Sequence, residues 1–382
     1  MYISHIHLKN WKNFQDVRAD LGQRVFLIGP NASGKSNLLD VFRFLRDVAT
    51  DGLEKAVSEK RNGVSSIRCL AARKYTNIDI EVKINDGQKQ EWRYRLSINQ
   101  DNIKRPVVRD EIVIHLGKEV LKRPDTKDEQ DPLRLTQTAL EQISENQAFR
   151  PVADFFKIIS YQHLLPQVVR DPRGFSPQPV LNDPFGRDFL LRLWKTLPRT
   201  RDSRLKKISS ALQHAVPQLT ELTVDMDKST GTPHLIGSYS HWRPHDAKQN
   251  ERVFSDGTLR LLGLLWTVYD GSGPLLLEEP EISLHPEVVR RLPIVFHRIN
   301  RSRKEPRQII ISTHSDEMLQ DKGIGPEEVL RLEPRPGGTE ICMADEADRQ
   351  GMASGLSAAD LFMPKAAPKD IHQLSLEFAD DY

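Results

Sequence analysis

Gly29-Pro30-Asn31-Ala32-Ser33-Gly34-Lys35-Ser36 fits G-x-x-x-x-G-K-[ST], the pattern of a phosphate-binding loop. The apolar run Val25–Ile28 feeds directly into it, and a periodic segment from Asn37 to Leu45 follows. Strand, glycine loop and helix are the context the motif requires. The glycines let backbone N–H groups curl around a triphosphate, and the helix start adds its positive dipole end. Lys35 is placed to reach the β- and γ-phosphates, and the Ser36 hydroxyl to ligate Mg²⁺.

The chain has 382 residues, enough for one large domain with an inserted lobe or for two domains. Hydrophobic content is 38% and charged content 28%, a balance that suits a wide solvated surface. No apolar run approaches the roughly 20 residues needed to span a bilayer, so no membrane role is expected. The strand-like start, Met1–Leu8, lacks a signal peptide's apolar core. Cys69 and Cys342 form neither a disulfide framework nor a metal cluster, and they suit a reducing cytoplasm. A net charge of +2 neither supports nor excludes nucleic-acid binding.

Residues 2–8 and 25–28 read as the first strands, with the P-loop helix running to about Asp47. Residues 51–66 are polar and read as a helix or loop insert. From Ile78 the period changes to two: 78–84, 92–98, 107–115 and 119–122 alternate as an antiparallel sheet. Leu133–Gln147 looks helical, and Phe155–Tyr161 reads as a core strand. Asp171–Pro184, rich in turn residues, reads as a loop. Phe189–Leu197 and Leu205–Val216 have helical spacing, and Leu219–Asp225 and Thr232–Tyr239 look like strands. After Arg252, short apolar runs (275–277, 309–311) alternate with helices (259–268, 288–300), the mark of a parallel sheet. The expected fold is α/β: a P-loop core of residues 1–50 and 151–344 with a mixed or parallel sheet, containing a small helical lobe at about 185–218. Residues 51–150 form an inserted antiparallel β lobe. Residues 345–382 form a tail, with a helix at Ser357–Phe362 and a possible role in partner contact.

Leu275–Leu277 delivers two carboxylates, Glu278 and Glu279, to the carboxyl edge of the sheet, where ligands sit in α/β folds. The first suits Mg²⁺ held through water; the second suits orienting or deprotonating an attacking water. Phe254-Ser255-Asp256-Gly257-Thr258 precedes an apolar helix, with Ser255 or Thr258 as its cap and as a phosphate contact. Ile309–Ile311 leads to His314, whose position along the same edge suits a hydrogen bond to a γ-phosphate.

P-loop, serine-glycine signature, acidic strand end and histidine follow one another as in ABC-type ATPases. The chain resembles the RecF/SMC/OLD-like group in Ile3–Phe14, in Phe254–Arg260 and in Glu278–Pro286. The resemblance covers the two ends of the chain well and the middle poorly. It implies an ATPase using ATP and Mg²⁺. Gly29, Asn31, Ala32, Ser33, Gly34, Lys35, Ser36 and Asn37 would hold the nucleotide, with Asn31 near the γ-phosphate. Glu278 would be the Walker B acid, Glu279 the catalytic base and His314 the switch histidine. Gln162 would be the Q-loop residue and a metal ligand beside Ser36 and Glu278, although Gln167 competes for that place. Ser255, Asp256 and Gly257 would form a signature, with Ser255 and Gly257 touching ATP bound to a second subunit. Two departures stand out: Asp256 and Thr258 replace a glycine and a glutamine of transporter ATPases, and the usual aspartate after Walker B is replaced around His285.

The resemblance further implies a homodimer of heads that ATP closes and hydrolysis opens. Two roles follow as alternatives. One is an ATPase subunit of an anti-phage defence or DNA-repair complex, with a separate effector protein from a neighbouring gene. The other is a RecF-like protein that binds DNA directly through Arg68, Arg73, Lys74, Arg93, Arg95, Lys104, Arg105 and Arg109. No long heptad run predicts coiled-coil arms, and the segment after His314 is short for a TOPRIM nuclease domain. Asp225-Met226-Asp227 reads as a solvated strand end rather than a metal pair.

Overall fold

The computed structural model describes residues 1–86, 91–171, 183–240 and 247–368. It divides into two compact units, Met1–Ile159 with Arg307–Tyr382, and Ser160–Pro306. These boundaries differ from the division at 50/51 and 150/151 suggested by periodicity.

The first unit holds a six-stranded antiparallel sheet. Its strands are β1 (Tyr2–Trp11), β2 (Phe14–Asp20), β4 (Ile78–Asn85), β5 (Glu91–Gln100), β6 (Pro106–His115) and β7 (Lys118–Arg123), in the order β2-β1-β4-β5-β6-β7. The 51–150 segment therefore shares a sheet with the N-terminus: β1 pairs with β4 along its length. A register shift between Ile3 and His5 lets Ile3, Ile6 and Leu8 all face the core despite their uneven spacing. Trp11 packs on Phe44 of the helix Lys35–Asp51, ring centroids 5.3 Å apart. Tyr94 packs on Phe156 at 5.6 Å.

In the same unit β3 (Arg24–Ile28) is flanked in parallel by β13 (Ile309–Ser312) and β14 (Val329–Arg335), and β14 turns back into β15 (Gly338–Cys342). The continuous apolar runs of β3 and β13 are buried throughout, as parallel strands covered on both faces must be. A helix at Ala358–Ala366 is capped by Ser357, whose Oγ accepts from the Asp360 N–H.

The second unit pairs β8 (Ser160–Gln162) in parallel with β12 (Leu275–Glu278), Leu277 opposite Gln162. Strands β9 (Leu219–Asp227), β10 (Thr232–Tyr239) and β11 (Ala247–Asn250) form an antiparallel meander. Its main helices are Phe189–Lys195, Pro198–Leu212, Asp256–Tyr269 and Pro286–Arg301.

Two sequence expectations are corrected. Leu133–Gln147 is no α-helix but two short 3-10 turns, Pro132–Thr136 and Asn146–Phe149, with an irregular link. The Ala139 and Leu140 N–H groups donate to the buried Glu111 carboxylate at 2.7 and 3.1 Å, and that capture replaces helical bonding. Phe155 and Phe156 lie on a helix, Arg150–Lys157, and only Ser160–Gln162 is strand. An apolar run alone cannot separate a buried strand from a buried helix face. Most of the Asp171–Pro184 loop and the last part of the 345–382 tail lie outside the described residues. No helix among the described residues is long and apolar enough to cross a membrane.

Candidate nucleotide-binding site

The P-loop sits in the first unit between β3 and the helix Lys35–Asp51. Its path depends on backbone that side chains resist. Gly29 has φ 149° and Gly34, the residue before the helix, has φ 100°. A Cβ on Gly29 would lie 2.5 Å from the Leu332 carbonyl, and one on Gly34 would overlap the Asn13 amide. Ala32 also adopts a left-handed conformation at φ 61°. Lys35 is buried, and its Nζ donates to the carbonyls of Gly29 at 2.9 Å and Pro30 at 3.1 Å. Ser36 is exposed in the first helical turn. The Ser33 Oγ is buried with no hydrogen-bond partner among the described residues.

The turn between β1 and β2 braces this loop. The Asn13 amide donates to the Ser33 carbonyl at 3.0 Å and to Thr339 Oγ1 at 2.7 Å, and its Oδ1 accepts from Asn37 Nδ2 at 2.8 Å. Trp11 Nε1 donates to the Asn37 carbonyl at 2.9 Å. Thus Asn37 is tied to the N-terminal hairpin and contributes to loop position. No sequence motif assigns a role to Trp11 or Asn13. Both lie in the stretch Ile3–Phe14 that resembles the family, and the polar turn Lys12-Asn13 between two strands is their local signal.

Thr313 N–H donates to the Leu27 carbonyl at 3.1 Å, which carries the chain past the end of β13 beside the end of β3. His314 is consequently exposed on the edge where the P-loop begins. Gly29, Asn31 and His314 share a cleft of about 790 Å³, walled on its far side by Asp360 and Met363. The first unit therefore brings together one half of the predicted site.

The second unit holds the other motifs. Gln162 ends β8, is 4% exposed, and its Oε1 has no hydrogen-bond partner among the described residues. Glu278 ends the neighbouring strand, where the Tyr161 hydroxyl donates to its carboxylate. His163 Nδ1 lies 3.1 Å from the Glu278 carbonyl. Glu279 has φ 43°, a strained value for a residue with a side chain. Its carbonyl accepts from Arg260 Nη2 at 2.7 Å, while Arg260 Nη1 donates to the Leu164 carbonyl at 2.5 Å. Burial pulls the Arg260 pKa down, and Glu281 and Glu279 oppose that shift. In the sequence Arg260 is visible only as a charge inside the apolar stretch 259–268.

Ser255 caps the helix Asp256–Tyr269: its Oγ accepts from the Thr258 N–H at 3.2 Å and lies 2.8 Å from Thr258 Oγ1. The cap is therefore Ser255, with Thr258 as its partner. Gly257 sits against the Ser283 carbonyl, which a Cβ would meet at 2.9 Å. Asp256 pairs with Arg170 at 2.6 Å and accepts from Gln167 Nε2 at 3.1 Å. Gln167 is thus bound to Asp256, while Gln162 ends the strand beside β12. His285 caps the helix Pro286–Arg301, its Nδ1 accepting from the Glu287 N–H at 3.2 Å.

Of the residues expected to hold Mg²⁺, Ser36 of the first unit carries a hydroxyl oxygen, and Glu278 and Gln162 of the second carry carboxylate and amide oxygens; each is a hard donor of the kind Mg²⁺ takes. The unsatisfied buried Gln162 Oε1 fits such a ligand. No cluster of three or more His, Cys, Asp or Glu residues suited to a metal exists among the described residues. Asp227 caps its own turn, accepting from Ser229 and Thr230, as a strand end does.

Several arginines expected to form a DNA face are already neutralised. Arg93 pairs with Glu81 at 2.7 Å, Arg95 lies 3.6 Å from Asp110, and Arg105 pairs with Asp101 at 2.9 Å. On β5, cross-strand carboxylates occupy these guanidinium groups.

A family model described as "AAA domain, putative AbiEii toxin, Type IV TA system" matches residues 24–319. Curated relatives include the DNA replication and repair protein RecF of Picosynechococcus, 32% identical over 22% of this chain and 23% of that protein. RecF of Trichodesmium erythraeum is 27% identical over 28% of this chain and 27% of its own length. The chain thus spans about a quarter of the length of these relatives. Among solved structures, an Smc head bound to the C-winged helix domain of ScpA aligns with TM-score 0.55 and 14% identity, covering 91% of this chain and 99% of that one. The Smc head with an extended coiled coil, bound to the C-terminal domain of ScpA derived from Pyrococcus furiosus, aligns with TM-score 0.52 and 12% identity over 92% and 98%. The fold is that of an ABC-type P-loop ATPase head, mixed α/β with parallel and antiparallel sheets.

Proposed function

This chain belongs to that AAA-domain family, within the RecF/SMC group of ABC-type ATPases, and we propose that it hydrolyses ATP to drive a switch between joined and separated heads. The observation that carries the reading is the P-loop cleft, where Gly29, Asn31 and His314 line one cavity and Lys35 points into the loop.

On this reading Lys35 exchanges the Gly29 and Pro30 carbonyls for β- and γ-phosphate oxygens. The loop N–H groups and the helix start add donors that need no rearrangement. Asn31 and His314 approach the terminal phosphate from the cleft wall. Mg²⁺, held by Ser36, Glu278 and Gln162, would neutralise charge on the phosphates. Glu279 Oε accepts a proton from the attacking water, and Arg260 fixes the backbone that aims it. Ser255, Asp256 and Gly257 belong to the surface offered to the nucleotide of a second copy. In that arrangement each site is complete only when two heads meet, so ATP favours the joined state and hydrolysis releases it.

The switch acts on a separate effector in a cytoplasmic defence or DNA-repair complex, with the segment 345–382 as a contact for it. The lobe 51–150 is, on the same reading, an insertion into the head. Direct action on DNA is the second reading, favoured by the similarity to proteins named for DNA replication and repair. Release of phosphate from ATP by the purified chain, compared with Lys35→Ala, tests the enzymatic part. Mg²⁺-dependent turnover abolished in the variant supports it. Equal turnover in both removes the P-loop from the reaction.

A further inference from the structure

We propose that Arg61 is a positioning residue for the P-loop: it clamps the helix Lys35–Asp51 to the N-terminal hairpin and thereby sets nucleotide affinity. The inference rests on the nucleotide-binding reading of that loop, and every residue it invokes lies in the first unit. Arg61 belongs to the polar stretch 51–66, in which no motif signals chemistry. A π-helical turn, Lys55–Glu59, precedes it, and Asn62 (φ 57°) and Gly63 (φ 94°) turn the chain away after it. Such turns are rare and recur at functional sites.

The helix that follows the P-loop carries two carboxylates on its packed side. Asp40 and Asp47, two turns apart and so on one face, are 7% and 2% exposed. Buried carboxylates need counter-charges, and Arg61 supplies one to both. Its Nε and Nη2 donate to the two Asp40 oxygens at 3.0 and 2.8 Å. Its Nη1 donates to Asp47 Oδ2 at 3.0 Å and to the Ala56 carbonyl at 2.8 Å. Four of the five guanidinium N–H donors are thus engaged within the protein, so Arg61 has no fork to offer a phosphate. Burial pushes the Asp40 carboxyl up, but Arg61 and Lys12 outweigh it and hold it at about 2.

From Arg61 two routes reach the P-loop. Asp40 Oδ2 also takes Lys12 Nζ at 2.7 Å, and Lys12 is the neighbour of Asn13, which holds the Ser33 carbonyl and the Asn37 side chain. By the second route, the Arg61 guanidinium lies 5.2 Å from the centre of the Phe44 ring, Phe44 packs on Trp11, and Trp11 Nε1 holds the Asn37 carbonyl. Both routes run through the β1–β2 hairpin and meet at Asn37. Loss of the fork therefore loosens hairpin and P-loop together. Lys60 shows the opposite case. It is exposed, and its ion pairs are with Asp47 and Asp51 alone, at the far end of the helix.

Hydrogen exchange of the nucleotide-free full chain, together with titration by Mg²⁺ and ATP, tests the proposal. The reporting amides are Ser33, which donates to the Pro30 carbonyl at 3.2 Å, and Leu38, which donates to the Gly34 carbonyl at 2.9 Å. Arg61→Lys keeps the charge and loses the fork. It should speed exchange of both amides about fivefold and weaken ATP binding by a similar factor. Arg61→Leu/Asp40→Asn/Asp47→Asn leaves no buried carboxylate without its partner, so it should melt at a higher temperature than Arg61→Leu alone while its ATP affinity stays low. In an Asn13→Ala background Arg61→Lys should cost little further affinity, since both act through one hairpin. Lys60→Gln should match the unaltered chain in exchange and in affinity. Unchanged exchange in Arg61→Lys overturns the proposal, as do losses that multiply in the Asn13→Ala background. Affinity that recovers along with melting temperature in the triple variant shows a purely structural role and also overturns it. Faster exchange in Arg61→Lys, if the unaltered chain binds no ATP, upholds Arg61 as the clamp of the loop and removes the nucleotide reading instead.

Discussion

The guanidinium of Arg260 holds the carbonyl of Glu279 at 2.7 Å while Glu279 keeps φ at 43°. A buried side chain on the signature helix thereby supports a strained backbone at the proposed base. The same guanidinium binds the Leu164 carbonyl, just beyond Gln162. Replacing it leaves two carbonyls without their donor. Arg260→Lys retains charge but loses the fork that spans both. We expect a loss of about 2 kcal/mol in stability, the scale of a hydrogen bond to a charged group. We expect turnover to fall further than ATP binding. Thermal melts, nucleotide titration and kcat measured on one preparation check this. Full activity in Arg260→Lys would show that the fork is dispensable.

Asn13 contacts Ser33, Asn37 and Thr339, so it couples the N-terminal hairpin to the P-loop. Asn13→Ala should weaken ATP binding without altering any residue that touches phosphate. The expected cost is about 1–2 kcal/mol, a factor of roughly 5 to 30 in Kd. Gly34→Ala should abolish binding, because φ 100° and the Asn13 amide both exclude a Cβ. Isothermal titration with ATP distinguishes the graded loss from the complete one.

Burial pushes the Glu141 carboxyl up to about 7, with Glu111 adding to the shift and the hydrogen bond from the Leu53 N–H opposing it. The folded state therefore holds this proton more tightly than the unfolded chain does. Its contribution to stability is fully present below about pH 4.5 and is lost as pH rises through 7. Glu141→Gln removes the charge that must otherwise be buried. The variant should gain in melting temperature relative to the unaltered chain at pH 8 and lose that advantage near pH 5. A difference independent of pH would assign the ionisation to another group.

Local signals are legible wherever one element declares itself. The P-loop is contiguous, with strand, glycines and helix in one run, and β4 to β7 alternate with little ambiguity. A cap at Ser255 or Thr258 can be read because capping acts within one helical turn, and the structure gives it to Ser255. The misread segments depend on distant partners. Glu111 draws the Ala139 and Leu140 amides out of helical bonding from 28 and 29 residues away. Phe155–Tyr161 is apolar enough for a strand, but its first three residues end the helix Arg150–Lys157, where Phe156 packs on Tyr94. Arg260 acts on backbone carbonyls, which every residue possesses, and Asn13 meets Thr339 from 326 residues away, so no local side-chain pattern announces either contact. Gln162 and Gln167 are inseparable by position along the chain, and their different surroundings, a strand end for Gln162 and Asp256 for Gln167, arise from partners far away in sequence.

The central claim is that ATP joins two heads and hydrolysis parts them. Light-scattering mass of Glu279→Gln with Mg²⁺ and ATP, then with ADP, tests it most directly. The account predicts a doubled mass with ATP, a single-chain mass with ADP, and no doubling when Lys35→Ala is added. A mass indifferent to nucleotide in all of these samples would contradict it.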